Sequence, residues 1–236
     1  MFKKGFTLAE VLITLGIVGV IAAITLPSLI HDTAAAQVGP KLAKAVSTFE
    51  QANQALLKNE GVNAITDAYP ISNTDVSTYT NALTDYMNAS VISSYTGDYT
   101  QPSDLPIISG LAGKLLTNDG MIFIISPLPT SDQTYAGSLP HKHRVGAVYV
   151  DINGQTKPNV AGTDLFAFSM WNDGSLKPVG GNGWWTTGAP LWTAQCPVGS
   201  APSNALYCTG HVFENNLKVL FKQEVYHEKE KLQRKM

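Results

Sequence analysis

The sequence predicts an α+β fold, in which one long N-terminal helix packs on a C-terminal antiparallel β-sheet domain. Three observations carry this. Val11 to Leu26 runs without a charge, apolar residues then recur at three-and-four spacing as far as Leu57, and two Asn-Asp-Gly turns beyond Gly61 are each flanked by strand-like stretches. At 236 residues and 25.3 kDa the chain has room for one sizeable core. Charged residues make up 14% and the formal charge is -2, so no broad basic surface for nucleic acid is indicated. From Asn63 onward the polar residues are mostly Ser, Thr, Asn, Gln and Gly, as in a turn-rich domain outside the cytoplasm.

The first element spans Phe6 to Leu26, and 21 residues at about 1.5 Å each cover the hydrocarbon core of a bilayer. Lys3 and Lys4 precede it, which keeps the short leader in the cytoplasm and sends Pro27 onward across the membrane. Glu10 lies inside the apolar stretch, where a carboxylate costs a few kcal/mol and marks a functional group by default. It needs a partner, and the helix itself offers none; the nearest cation would come from another chain. An α-amino group released between Gly5 and Phe6 on a staggered neighbouring chain would supply one, so that assembly relieves the charge that burdens the monomer. Two plainer readings compete: a secretory signal peptide ending near Ala34-Ala35-Ala36, and an uncleaved anchor. The length of the apolar stretch and the position of Glu10 near its start weigh against the signal peptide.

The string Lys3-Lys4-Gly5-Phe6-Thr7-Leu8-Ala9-Glu10-Val11-Leu12-Ile13 resembles the prepilin motif of type IV pilins and type II secretion pseudopilins. The resemblance implies that a prepilin peptidase cuts after Gly5 and N-methylates Phe6, and that Glu10 serves assembly. It implies as partners other pilin-like subunits, the inner-membrane assembly machinery and membrane lipid. It places the protein in the bacterial inner membrane with a single span and its domain outside, then in a periplasmic or extracellular filament. Gly19 and Pro27 match positions where helices of that family loosen or kink. The chain then divides into a leader (1–5), a helix (6–61, with 6–26 in the membrane) and a globular pilin-like domain (62–236).

Beyond Pro27 the helical pattern continues past a polar interruption at Ser28 to Gln37 and an expected kink at Gly39-Pro40. Leu42, Val46, Phe49, Ala52, Leu56 and Leu57 form one buried stripe facing the domain, while Lys41, Lys44, Glu50, Gln54 and Lys58 fall on other faces. Gly61 ends the helix. The stretch from Ala64 to Ser109 carries a short helix over Asp75 to Ala89, and its Tyr79, Tyr86, Tyr95 and Tyr99 are assigned to packing. Strands follow at Lys114 to Thr117 and Met121 to Ser126 around Asn118-Asp119-Gly120, at Val145 to Ile152, and at Asp164 to Trp171 and Ser175 to Val179 around Asn172-Asp173-Gly174. The run from Val150 to Phe168 is similar to a block seen in many pilin-like proteins.

Asp151, Asn153, Asn159 and Asp164 bring side-chain oxygens together among glycines. They read either as a calcium loop, as some pseudopilins have, or as a turn whose Asp and Asn side chains cap their own backbone; the spacing is not that of an EF-hand, which favours the turn. No other cofactor is indicated. His141-Lys142-His143-Arg144 reads as a solvated basic loop, and Trp184, Trp185 and Trp192 as a small loop core or an exposed adhesive surface. Cys196 and Cys208, with eleven residues between them, are read as a disulfide contributing about 2–4 kcal/mol, the alternative being two reduced buried thiols. Asn215 to Met236 has the spacing of an amphipathic helical tail. Motifs for hydrolases, metalloproteases and phosphate loops are lacking, so the sequence points to a structural subunit, with a membrane-anchored adhesion module that does not polymerise as the alternative.

Overall fold

The computed structural model describes residues 7–69, 71, 76–95, 112–127, 144–156, 159, 161–181 and 208–214, with the backbone alone at 26–36, 211 and 214. Helix α1 runs from Leu8 to Glu60 and is followed by α2 (Ile65–Ala68), α3 (Ser77–Met87) and β1 (Ala89–Val91). Then come β2 (Gly113–Thr117), β3 (Ile122–Pro127), β4 (Arg144–Asp151), β5 (Leu165–Trp171), β6 (Leu176–Pro178) and α4 (Cys208–Glu214).

The helix covers the expected span and is less broken than expected. It passes through Gly19, Pro27, Gly39 and Pro40, and through the polar stretch from Ser28 to Gln37, without a change of secondary structure. Proline removes one backbone donor, but its fixed φ suits a helix, and long helical flanks on either side hold the turn in place. Gly61 ends α1 as predicted, adopting the left-handed conformation at φ 69 with its N–H bonded to Leu57 O and Lys58 O.

The six strands form one antiparallel meander in the order β1-β2-β3-β4-β5-β6. Both Asn-Asp-Gly sequences make three-residue hairpin loops. Gly120 N–H donates to Thr117 O and Gly174 N–H to Trp171 O, each 2.9 Å, with φ of 88 and 81 at the two glycines. One sheet face presents rows of directly opposed side chains to α1. Leu115, Phe123, Val150 and Phe166 form one row, and Ile125, Val148 and Phe168 the next. Against them lies the predicted helix stripe: Leu42, Phe49, Ala52, Leu56 and Leu57 are buried and Val46 is half-buried, with Ala45 joining them, and Phe49 stacks on Phe123 at 5.9 Å.

The other face is also buried. Ile122, Ile124, Ala147, Tyr149, Leu165 and Ala167 make a second cluster, and among the described residues Ile92, Tyr95 and Leu116 pack on it. Single-sided burial is the usual state of an antiparallel sheet, with polar residues alternating outward. Here β3 to β5 read almost continuously apolar, which is the sequence signature of a strand covered on both sides.

Polar contacts tie the elements together. Asn53 is fully buried in α1, donates from Nδ2 to Phe49 O at 3.0 Å, and accepts the Tyr79 hydroxyl of α3 at 2.6 Å. Helix α2 has no cap of its own, and the hairpin supplies one: Asn172 Oδ1 accepts from Thr66 N at 2.9 Å while Ile65 N donates to Asn172 O at 2.8 Å. Glu50 lies off the apolar stripe, yet its Oε1 accepts from Leu176 N at 2.9 Å, because the stripe's edge reaches edge strand β6. Lys44 pairs with Asp119 of the β2–β3 turn at 2.7 Å. Burial works against the Asp119 carboxylate, but hydrogen bonds from Lys44 and Thr117 outweigh it and hold the group below its ordinary pKa.

Arg144 corrects the reading of a solvated basic loop. It is the first residue of β4 and is buried, since the strand starts one position earlier than the apolar pattern indicates. Tyr79 is buried, and Tyr86 and Tyr95 pack against the two clusters, in keeping with their assignment. Helix α4 was not foreseen. It docks through Gly210, whose N–H donates to Val179 O at 2.8 Å, and a Cβ there would meet the Gly181 backbone at 2.2 Å. Tyr99, His141 to His143, the three tryptophans 184, 185 and 192, and the tail from Asn215 lie outside the described residues.

Candidate functional site

The residues that distinguish this chain chemically stand at the start of α1. Thr7 is the N-cap, extended at φ -77 and ψ 152. Its Oγ1 accepts from Glu10 N at 3.3 Å, while its own N–H and hydroxyl both donate to Glu10 Oε2 at 2.8 Å. This is a capping box, in which the N-cap and the third helical residue satisfy each other's orphan groups. The expectation that the helix offers Glu10 no partner is therefore corrected: it offers no cation, but it gives the carboxylate two donors and the favourable end of the helix dipole. The pattern Thr7-Leu8-Ala9-Glu10 was legible as Ser/Thr-x-x-Glu before an apolar run.

After the box comes an apolar cylinder. Leu8–Thr25 is long and apolar enough to cross a membrane, about 27 Å of helix, and none of it is buried within the protein. The large apolar side chains that stand exposed are Leu8, Val11, Leu12, Ile13, Leu15, Ile17, Val18, Val20, Ile21 and Ile24, with Val91 the single exception among the described residues. Water is a poor environment for such a surface. The remaining polar side chains turn inward on the helix: Thr14 Oγ1 donates to Val11 O and Thr25 Oγ1 to Ile21 O, both at 2.9 Å. The segment thus satisfies its own polar groups, which is what a hydrocarbon environment demands. Gly16 and Gly19 leave open space on its surface, where another helix could approach closely.

The expected processing residues Gly5 and Phe6 lie outside the described residues, immediately before the cap. Pro27 lies within α1. Cys208 opens α4 and Cys196 lies outside the described residues.

The four oxygen-bearing residues of the β4–β5 connection do come together. Asp151 Oδ1 accepts from Asn153 N at 3.1 Å, and its Oδ2 accepts a short hydrogen bond from the Tyr95 hydroxyl. Asp164 Oδ2 accepts from Asn153 Nδ2 at 3.1 Å and from Asn159 N at 2.8 Å. Asn159 has a left-handed backbone at φ 49, and Gly154 at φ 68 abuts the β2–β3 turn, where a Cβ would come 2.3 Å from Gly120 O. Burial pushes the Asp151 carboxyl up to about 6, against the hydrogen bonds from Tyr95 and Asn153 and with help from the nearby charge of Asp164. Protein donors occupy both Asp151 oxygens and Asp164 Oδ2, an arrangement of side chains capping their own turn, while Asn153 Oδ1 is buried without a hydrogen-bond partner. Among the described residues no group of three or more His, Cys, Asp or Glu converges on a common point.

Residues 1–26 match the family model of the prokaryotic N-terminal methylation motif, the prepilin-type signal of type IV pilins and pseudopilins. No curated protein and no solved structure matches the chain.

Proposed function

We propose that this chain, which its N-methylation motif indicates to be a type IV pilin-like or pseudopilin precursor, is a structural subunit that polymerises into a type IV pilus or type II secretion pseudopilus filament. The carrying observation is the junction itself. A matched processing motif runs directly into a self-satisfied apolar helix with one acidic residue at its mouth, and that helix continues unbroken into the core of a separate β domain. In this reading prepilin peptidase removes residues 1–5 and methylates the new amino group of Phe6. The helix holds the subunit in the inner membrane until the assembly machinery draws it into the filament, and there Glu10 exchanges part of its capping box for the N-terminal amine of a neighbour. Gly19 and Pro27 are the points at which α1 yields when helices pack. Cys196 and Cys208 form a disulfide that fastens α4 beside the sheet, supported by the docking of α4 on β5 and β6.

Mass spectrometry of envelope material tests the processing step: the mature chain is expected to begin with N-methylated Phe6, and an intact Met1 would refute it. Glu10→Ala tests assembly. The variant should stay in the membrane yet fail to form filaments; normal filaments from it would overturn the assembly role of Glu10, and a wild-type chain that forms no filaments would point to an anchored module that does not polymerise.

A further inference from the structure

In the β4–β5 connection Asn153 is followed by Gly154, the one Asn-Gly pair among the described residues. Gly154 is the second residue of a turn closed by Thr156 N on Asn153 O at 3.4 Å, and its φ is 68. The N–H groups of both residues donate to the Asp151 carboxylate, that of Asn153 at 3.1 Å. The Asn153 side chain is held only at its nitrogen: Nδ2 donates to Asp164 Oδ2 at 3.1 Å, while Oδ1 is buried without a partner. Glycine after asparagine removes the Cβ that would otherwise shield the following backbone nitrogen from the carboxamide carbon. At the hairpin glycines 120 and 174 the preceding residue is an aspartate, whose ionised carboxylate resists such an attack.

We infer that Asn153 is a self-modification site, which deamidates by attack of Gly154 N on its Cγ with the Asp151 carboxylate as the base. The Gly154 N–Cγ bond forms as Asp151 takes the proton from that nitrogen. The Cγ–Nδ2 bond then breaks, and Nδ2 takes up the proton and leaves as ammonia. A five-membered succinimide remains, and water opens it at either carbonyl to give aspartate or isoaspartate at position 153. Water is the sole co-reactant. The product exchanges a donor to Asp164 for a third carboxylate beside Asp151 and Asp164, and like charges at such distances repel. Isoaspartate also lengthens the backbone by one methylene inside the turn. Conversion therefore loosens the connection between β4 and β5 in each chain as it ages.

The test incubates the full-length chain in detergent micelles near neutral pH and follows the peptide containing Asn153 by mass spectrometry, scoring aspartate and isoaspartate separately. The folded wild-type chain is expected to convert several-fold faster than the same chain unfolded in urea. Asp151→Asn keeps an acceptor for the two N–H groups but removes the base, and should slow conversion in the folded chain roughly tenfold, a modest share of what a positioned base supplies. Asn153→Asp, which carries the main-chain-intact product, should melt at a lower temperature than wild type. Slower conversion in the folded chain than in urea would overturn the inference, and this comparison needs no variant to fold. Equal rates in wild type and a folded Asp151→Asn would overturn the role of Asp151, and an Asn153→Asp chain as stable as wild type would overturn the loosening.

Discussion

Single residues fix the contacts on which the domain depends. The Tyr79 hydroxyl is wholly buried, which raises its pKa, and it satisfies Asn53 Oδ1. Tyr79→Phe is expected to cost about 1–3 kcal/mol, the desolvation of an acceptor left unpaired, measurable by urea denaturation. At Gly174 two constraints coincide: a left-handed φ of 81 and an approach in which a Cβ would lie 2.6 Å from Asn53 Cβ. Gly174→Ala should destabilise by about 1–3 kcal/mol, more than the same change at Gly120, where φ is strained but space is open. Asp151 gives a pH dependence of definite sign. Its folded pKa is raised to about 6, so the protonated form suits the fold; the stability it confers is complete below about pH 4 and lost as pH rises through 6. Asp119, with its pKa lowered, acts in the opposite sense and only as pH falls below its ordinary range. Asp151→Asn should therefore flatten the fall in melting temperature between pH 4 and 6, and an unchanged slope would assign that fall to other groups.

At the scale of elements, α2 and the β4–β5 connection show structure built from borrowed caps. Four residues of helix cannot sustain themselves, and Asn172 from the β5–β6 hairpin supplies the missing acceptors. Asn172→Ala should cost about 1–2 kcal/mol and raise amide exchange first at Thr66, whose N–H loses its side-chain acceptor. Protein donors engage both Asp151 oxygens and Asp164 Oδ2, so neither chelator nor added calcium should move the melting temperature. A calcium-dependent rise would restore the metal reading of Asp151, Asn153, Asn159 and Asp164. The hairpins at Gly120 and Gly174 were legible because a three-residue loop with a terminal left-handed glycine has a strong sequence signal. Helices α2 and α4 and strand β1 were not, since segments of three to seven residues carry too few turns or alternations for periodicity to register.

The whole molecule joins two solvents along one helix. Up to Thr25 the exposed side chains of α1 suit lipid or other helices, and from Val38 its buried stripe belongs to the core. A chain beginning at Ser28 should be soluble and fold cooperatively, checked by circular dichroism and gel filtration, because the apolar segment Leu8–Thr25 contributes nothing to that core. Aggregation would show that the exposed apolar surface is not confined to Leu8–Ile24 and Val91. The sequence by itself determined the methylation motif, the membrane-length apolar helix, its capping residues, the stripe from Leu42 to Leu57 and the hairpin turns, since each depends on neighbours within a few residues. Tertiary structure alone decided which groups cover the second sheet face, that Arg144 is buried, that Glu50 reaches β6 and that Asn172 caps α2. Those contacts join residues up to 126 positions apart, as Glu50 and Leu176 are, and which partner a polar group finds at that range is set by how helix and sheet pack, not by local spacing.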